Sequence, residues 1–202
     1  MVFLVDAPDY QISRWLFHQL NPLTRISENS IQDSKEFLDK VTGVNISCDE
    51  IMVSFDGVSL FTSTPLALAK RCTEELLQGY PSGVPPEAFL QLLDLCLETN
   101  SSFAKQCYRQ FKGAPLGSPI SGFLAEALLQ KLEGIALSTV NPKRWLRYAD
   151  DKFVIVKKDQ LNLLHTNINP IFPGIIFPFE TKADGQLPFL DVLVRRKTDG
   201  SL

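Results

Sequence analysis

An antiparallel β-sheet with helices packed on one face, the α+β class, is what this sequence predicts. The order of its elements carries that reading: a strand, several helices, a hairpin, a further helix and more strand. So do two short apolar runs, "EIMVSFD" (50–56) and "KFVIV" (152–156), each bounded by aspartate. No internal repeat or low-complexity linker interrupts them. With 202 residues, 45% of them hydrophobic, the chain is long enough to bury a core of its own.

Residues 9–20, "DYQISRWLFHQL", place Ile12, Trp15, Leu16 and Leu20 at helical spacing and stop at Asn21-Pro22. A second helix starts at Asp33, which forms a D-x-x-E capping pattern with Glu36, and ends near Gly43. After the strand at 50–56, Pro65 opens a helix at its first position and Gly79 closes it. Another helix runs from about Pro86 to Thr99, and "SFAKQCYRQF" (102–111) reads as extended. The Gly-, Pro- and Ser-rich loop "GAPLGSPISG" leads into an apolar helix from Pro119 to Leu137. "RWLRYA" and "KFVIV" then form a hairpin with Asp150 and Asp151 at its turn, followed by a short helix at 159–168. Two strands close the chain, "IIFPFETK" (175–182) and "LPFLDVLVRRK" (187–197), joined by a turn at Ala183-Asp184-Gly185.

The formal net charge of −3 provides no global basic field, so a polyanionic partner has to be held by local positive patches. Cys48, Cys72, Cys96 and Cys107 are scattered without C-x-x-C spacing and the only histidines are His18 and His165, which argues against structural zinc and a disulfide framework. The opening "MVFLVDAPDY" is too soon interrupted for a signal peptide, and no apolar run approaches bilayer length. An intracellular protein with reduced thiols is expected.

The chemistry concentrates in aspartates at strand ends. If the strand ending in Asp56 neighbours the hairpin that carries Asp150 and Asp151, three carboxylates converge at one edge of the sheet. Such a cluster repels itself unless divalent cations neutralise it, and an all-oxygen site suits Mg²⁺ or Mn²⁺. Two ions about 4 Å apart can activate a hydroxyl and stabilise a leaving pyrophosphate, which is nucleotidyl transfer. The competing reading is ordinary turn chemistry at Asp150-Asp151 and strand capping by Asp56.

Four stretches decide between them by resemblance. "VSFDGVSLFTSTP" (53–65), "YRQFKGAPLGSPISGFLAEALLQKLE" (108–133), "RYADDKFVIV" (147–156) and "LPFLDVLVRR" (187–196) are similar to reverse-transcriptase motifs A, B, C and E, in that order. The wording most resembles Penelope-like retroelements, whose motifs read FDVVSLFTNIP, YxQxxGxxMGSP, RYVDD and PFLD. The resemblance implies a polymerase palm-type antiparallel sheet with a partial helical fingers region. Residues 1–49 would be partial fingers and 50–186 the palm with an inserted fingers-side helical segment. Residues 187–202 would be a primer-grip-like strand ending before a thumb. It also implies RNA-directed DNA polymerase activity with two Mg²⁺ or Mn²⁺ ions, an RNA template, a DNA primer and deoxynucleoside triphosphates, in the nucleus.

By the same resemblance Asp56, Asp150 and Asp151 are catalytic metal ligands, with the carbonyl of Gly57 assisting. Phe61 is the ring that rejects a 2′-hydroxyl. Gln110, Gly117 and Ser118 lie at the nucleotide, and the motif of Phe189, Leu190 and Asp191 leans on the primer as a strand pair, with Arg195 and Arg196 on phosphates. Lys182 lies where polymerases keep a general acid. The chain departs from the family in having Gly57 and Gly122 where an apolar residue and a proline are usual. Its segment between Asn100 and Tyr108 is shorter than the usual strand pair, and it lacks the upstream basic motif for the triphosphate. These departures suggest a truncated element copy with weak activity. Its rivals are a telomerase-like or retron-like polymerase and a catalytically silent remnant that binds nucleic acid or protein.

Overall fold

The computed structural model describes residues 9–24, 27–98, 100–115, 117–172, 174–181 and 185–202. Its helices are α1 (Tyr10–Leu20), α2 (Ser34–Val41), α3 (Leu60–Ser63), α4 (Leu66–Leu77), α5 (Pro86–Leu97), α6 (Ile120–Ala136) and α7 (Leu161–Ile168). Its strands are β1 (Glu50–Phe55), β2 (Asn100–Phe103), β3 (Gln106–Arg109), β4 (Arg144–Tyr148), β5 (Asp151–Lys157), β6 (Phe179–Glu180), β7 (Gln186–Phe189) and β8 (Val192–Arg195). The chain divides into two compact units, one of Met1–Ser27 and Ser59–Lys131, the other of Glu28–Val58 and Leu132–Leu202, with a boundary inside α6.

The first unit is mainly helical. The apolar stripe of α1 buries Leu16 and Leu20, and Trp15 stacks on Phe89 of α5 with ring centroids 5.8 Å apart. Pro65 is the N-cap of α4 rather than its first helical residue, its carbonyl accepting from the amides of Leu68 and Ala69. The short α3 ahead of it was not expected; it follows Ser59, held at φ +62°. The extended stretch at 102–111 doubles back as the β2–β3 hairpin, with Ala104 and Lys105 both left-handed in the two-residue turn.

The second unit holds a four-stranded sheet in the order β4-β5-β1-β6, antiparallel throughout. Alternation assigns its two faces. Met52, Leu146, Phe153 and Ile155 point to one face, where they pack with Phe37 and Val41 of α2 and with Leu187, Phe189 and Val194 of the β7–β8 hairpin. Val53, Phe55, Val154 and Trp145 point to the other. There His165 of α7 stacks near Phe55, and Glu133 of α6 accepts from Trp145. Helices therefore lie on both faces, not on one. The reason is that both faces of β1 and β5 are apolar, so each needs a cover. The N-terminus of α2 is capped as its sequence indicates, Asp33 Oδ1 accepting from the Glu36 amide at 2.8 Å.

Three strand expectations change. Only Ala149 and Asp150 form the β4–β5 turn; Asp151 is the first residue of β5, opposite Tyr148. Of the described residues of this stretch, 175–181, only Phe179–Glu180 are strand, with a single bridge at Val58–Ile176, because Pro178 between them has no amide to donate. "LPFLDVLVRR" is not one long strand paired with it. It folds on itself as β7 and β8 about Leu190 and Asp191. Lys182, Ala183 and Asp184 lie outside the described residues.

Candidate functional site

The antiparallel register brings the end of β1 beside the start of β5. Phe55 pairs with Lys152, so the next step of the same register sets Asp56 opposite Asp151 on one face of the sheet. These two carboxylates open into one cavity of about 230 Å³, whose wall is completed by Pro178, Glu180, Phe189 and Leu190. The Asp151 carboxyl is pushed above the usual carboxylate range, first by burial, then by the charges of Asp150 and Asp56, and further by a hydrogen bond with Asp56. Asp56 itself is exposed, while Asp150 and Asp151 are half-buried.

Gly57 explains how closely the two strands meet. A Cβ placed on it would lie 3.2 Å from the Cβ of Asp150 and 3.3 Å from the Phe177 ring. An apolar side chain, usual in the resembled family, would have to push the aspartate turn aside. The turn is itself strained, since Ala149 sits at φ +50°.

Beneath it, on the opposite face of the sheet, lie two fully buried cations that sequence reading passed over. Arg147 and Lys152 are cross-strand partners and both are 0% exposed. Arg147 Nε donates to Glu133 Oε1 at 2.6 Å, and Trp145 Nε1 donates to the same oxygen at 2.9 Å. Lys152 Nζ donates to the carbonyl of Asp150 at 2.8 Å and lies 4.3 Å from the centre of the Phe177 ring. Burial, then the nearby Arg147 charge, push the Lys152 ammonium down to about 8, so it still carries its charge at neutral pH. The signal available in the sequence was a lysine at a strictly apolar position of "DKFVIV".

A divalent cation is the group that the resemblance implies here. The donors present are all carboxylate and carbonyl oxygens, which suit a hard cation, and Asp151 is raised by burial and by the charges of Asp150 and Asp56. Asp56 and Asp151 fit such an ion as a pair. Among the described residues no three His, Cys, Asp or Glu side chains stand close enough together to form a ready metal group.

No family model matches the chain and no curated protein matches it. Solved structures do. A telomerase from Candida tropicalis, truncated from its C-terminal domain, superposes with a TM-score of 0.66 at 12% identity, over 95% of this chain and 45% of that one. A telomerase from Candida albicans in complex with a TWJ fragment of telomeric RNA gives 0.66 at 12% identity, over 95% and 39%. The Candida tropicalis telomerase with its own TWJ fragment gives 0.56 at 14%, over 92% and 36%. The fold is polymerase-like. The chain spans less than half the length of these telomerases, and at such identity the likeness is one of fold alone.

The remaining sequence candidates fall into two groups. In the first unit, the loop before α6 lies against the α3 turn that carries the half-buried Phe61: Ala114 N donates to Phe61 O at 2.7 Å. The glycine that permits this is Gly113, at φ +84°, where a Cβ would stand 2.7 Å from the Thr62 carbonyl oxygen. Gly117, singled out from the sequence, is exposed at φ +85°. Gln110 turns its amide onto the carbonyls of Lys112 and Gly113, both at 2.9 Å, and Ser118 shares its hydroxyl hydrogen bond with Ser13 at 2.8 Å. Both side chains are engaged within their own unit.

In the second unit, Phe189 is core, packed on Phe37 at 4.9 Å and on Phe153 at 5.6 Å. Leu190 is half-buried at the cavity wall, Asp191 and Arg195 are exposed, and Arg196 is half-buried. Among the described residues no helix is long and apolar enough to cross a membrane.

Proposed function

We propose that this chain is the catalytic region of an RNA-directed DNA polymerase, a reverse transcriptase of the Penelope-like kind. The observation that carries the reading is the convergence of Asp56 and Asp151 in one cavity, with Asp150 adjacent, on a telomerase-like fold. Asp56, Asp150, Asp151 and the Gly57 carbonyl would hold two Mg²⁺ or Mn²⁺ ions, whose chemistry when bound is to acidify a primer 3′-hydroxyl and neutralise departing pyrophosphate. The protein's own part is positional. The β1–β5 register fixes the spacing of the carboxylates, and the β7–β8 hairpin walls the cavity where Phe189, Leu190 and Asp191 would support the primer, with Arg195 and Arg196 beyond them on phosphate.

Phe61, Gln110, Gly117 and Ser118 would shape the nucleotide site, Gln110 and Ser118 by holding the loop rather than by touching the triphosphate. Template, primer and deoxynucleotides are the partners, with the remaining fingers and thumb supplied by a longer polyprotein. In this scheme residues 1–49 are partial fingers, 50–186 palm and 187–202 primer grip, acting in the nucleus. A telomerase-like polymerase is the second reading, favoured by the solved structures that the fold matches.

The test is primer extension on an RNA template with Mg²⁺ or Mn²⁺, beside an Asp150→Asn, Asp151→Asn double variant. Extension that disappears in the variant is the expected result. Extension by neither protein would leave a polymerase fold that binds without catalysing, and equal extension by both would sink the proposed ligands.

A further inference from the structure

Lys152 and Arg147 are costly residues. They are like charges directly opposite one another on adjacent strands, fully buried, at positions where the alternation of β4 and β5 calls for apolar side chains. Folding alone would be served better by a hydrophobic pair. Glu133 pairs with Arg147, whereas among the described residues Lys152 forms no ion pair; the charges of Glu133, Asp150 and Asp151 act on its ammonium only at a distance, and its direct contacts are a backbone carbonyl and an aromatic face.

What the two cations share is the turn. Lys152 Nζ donates to the Asp150 carbonyl at 2.8 Å, and Arg147 Nη1 reaches the Ala149 carbonyl at 3.4 Å. These are the two residues of the β4–β5 turn, and one of them, Ala149, holds a left-handed conformation that alanine disfavours. The carboxylates of Asp56 and Asp151 lie on the other face of the sheet, so the cations support the site from behind without entering it.

We propose that Lys152, assisted by Arg147, is a positioning residue that clamps the carbonyls of the Ala149–Asp150 turn and so holds Asp150 and Asp151 where a cation can meet them. The inference rests on the reading of those aspartates as metal ligands, but the clamp itself can be tested without a metal. Hydrogen exchange of the full chain in EDTA, compared between wild type and Lys152→Met, reads the turn directly. Exchange across 148–152 should rise by about tenfold while the β7–β8 hairpin is unchanged. Unchanged exchange at the turn would overturn the clamp, and so would an equal rise in both hairpins, which would mark Lys152 as a general structural residue. Lys152→Gln, which keeps a donor without the charge, should restore part of the protection and serves as well if the methionine variant does not fold.

Mn²⁺ titration of the same proteins links the clamp to the site. Affinity should fall by about tenfold in Lys152→Met, as for other residues that orient ligands from behind. A rise would show that the ammonium acts only as an opposing charge, which would overturn the positioning role. A wild-type chain whose Mn²⁺ binding ignores Asp150→Asn would instead refute the metal reading and leave the exchange result to decide the clamp.

Discussion

Two tight hairpins in the second unit make the same turn with opposite means of support. The β4–β5 and β7–β8 connections are both two residues long, both begin with a left-handed residue that is not glycine (Ala149 at φ +50°, Leu190 at φ +52°), and both end in aspartate. The first is held from behind by hydrogen bonds from buried cations. The second shows no side-chain hydrogen bond to its turn among the described residues and rests instead on the aromatic cluster of Phe37, Phe153 and Phe189. Apolar packing is the cheaper way to hold a turn. Its replacement by buried charge at Ala149–Asp150 marks the hairpin where position has been favoured over stability.

Removing the packing should cost most. Phe189→Ala empties a 4%-exposed aromatic site and should destabilise the chain by about 3–5 kcal/mol in denaturant unfolding. A loss below about 1 kcal/mol would mean that the β7–β8 hairpin is not anchored by its core face. Crowding the close approach under the other hairpin should cost less. Gly57→Val drives methyl groups toward Asp150 and Phe177, and should destabilise by about 1–3 kcal/mol while weakening Mn²⁺ binding. Unaltered Mn²⁺ binding would show that the close approach of Gly57 to Asp150 has no bearing on the site.

The turns themselves offer a finer contrast. Ala149→Gly relieves left-handed strain at an exposed side chain, and should stabilise by up to about 1 kcal/mol. Leu190→Gly relieves the same strain but removes a side chain packed against the core, so no net gain is expected. Equal gains in thermal unfolding would erase the difference drawn between the two supports.

Sequence alone revealed the strand ends and their aspartates, because strand length, alternation and turn residues are local signals. That β1 and the β4–β5 hairpin are neighbours was expected through resemblance rather than periodicity, and the β1–β5 pairing makes them so. Sequence alone missed what depends on distant contacts. Gly113 reads like any loop glycine until the Phe61 and Thr62 carbonyls are seen pressed against it. Lys152 is only a lysine beside an apolar run until Phe177, 25 positions later in the chain, is found against its ammonium. The division of 187–197 into β7 and β8 was offered by resemblance and not by turn residues, because Leu190-Asp191 contains neither glycine nor asparagine, the usual markers of such a turn.

The smallest effect separates Asp151, just past the first turn, from Asp191, within the second. Asp151, at the start of β5, has its carboxyl raised above its ordinary 3.8 by burial and by the charges of Asp150 and Asp56. A raised carboxyl means that the folded chain holds its proton more tightly than the unfolded chain, so stability falls as pH rises through 3.8 toward the folded value. Asp151→Asn removes that penalty. In EDTA at pH 7 the variant should be more stable than wild type by less than about 1 kcal/mol, the half-exposed site being screened by water. The gain should fade as pH is lowered toward 3.8, and added Mn²⁺ should reverse the order by stabilising only the wild type. Asp191→Asn, on the exposed turn of the other hairpin, should change stability by no more than about 0.5 kcal/mol. A pH-independent gain at Asp151 would mean that repulsion among the carboxylates is absent, and with it the physical ground for expecting a cation between them.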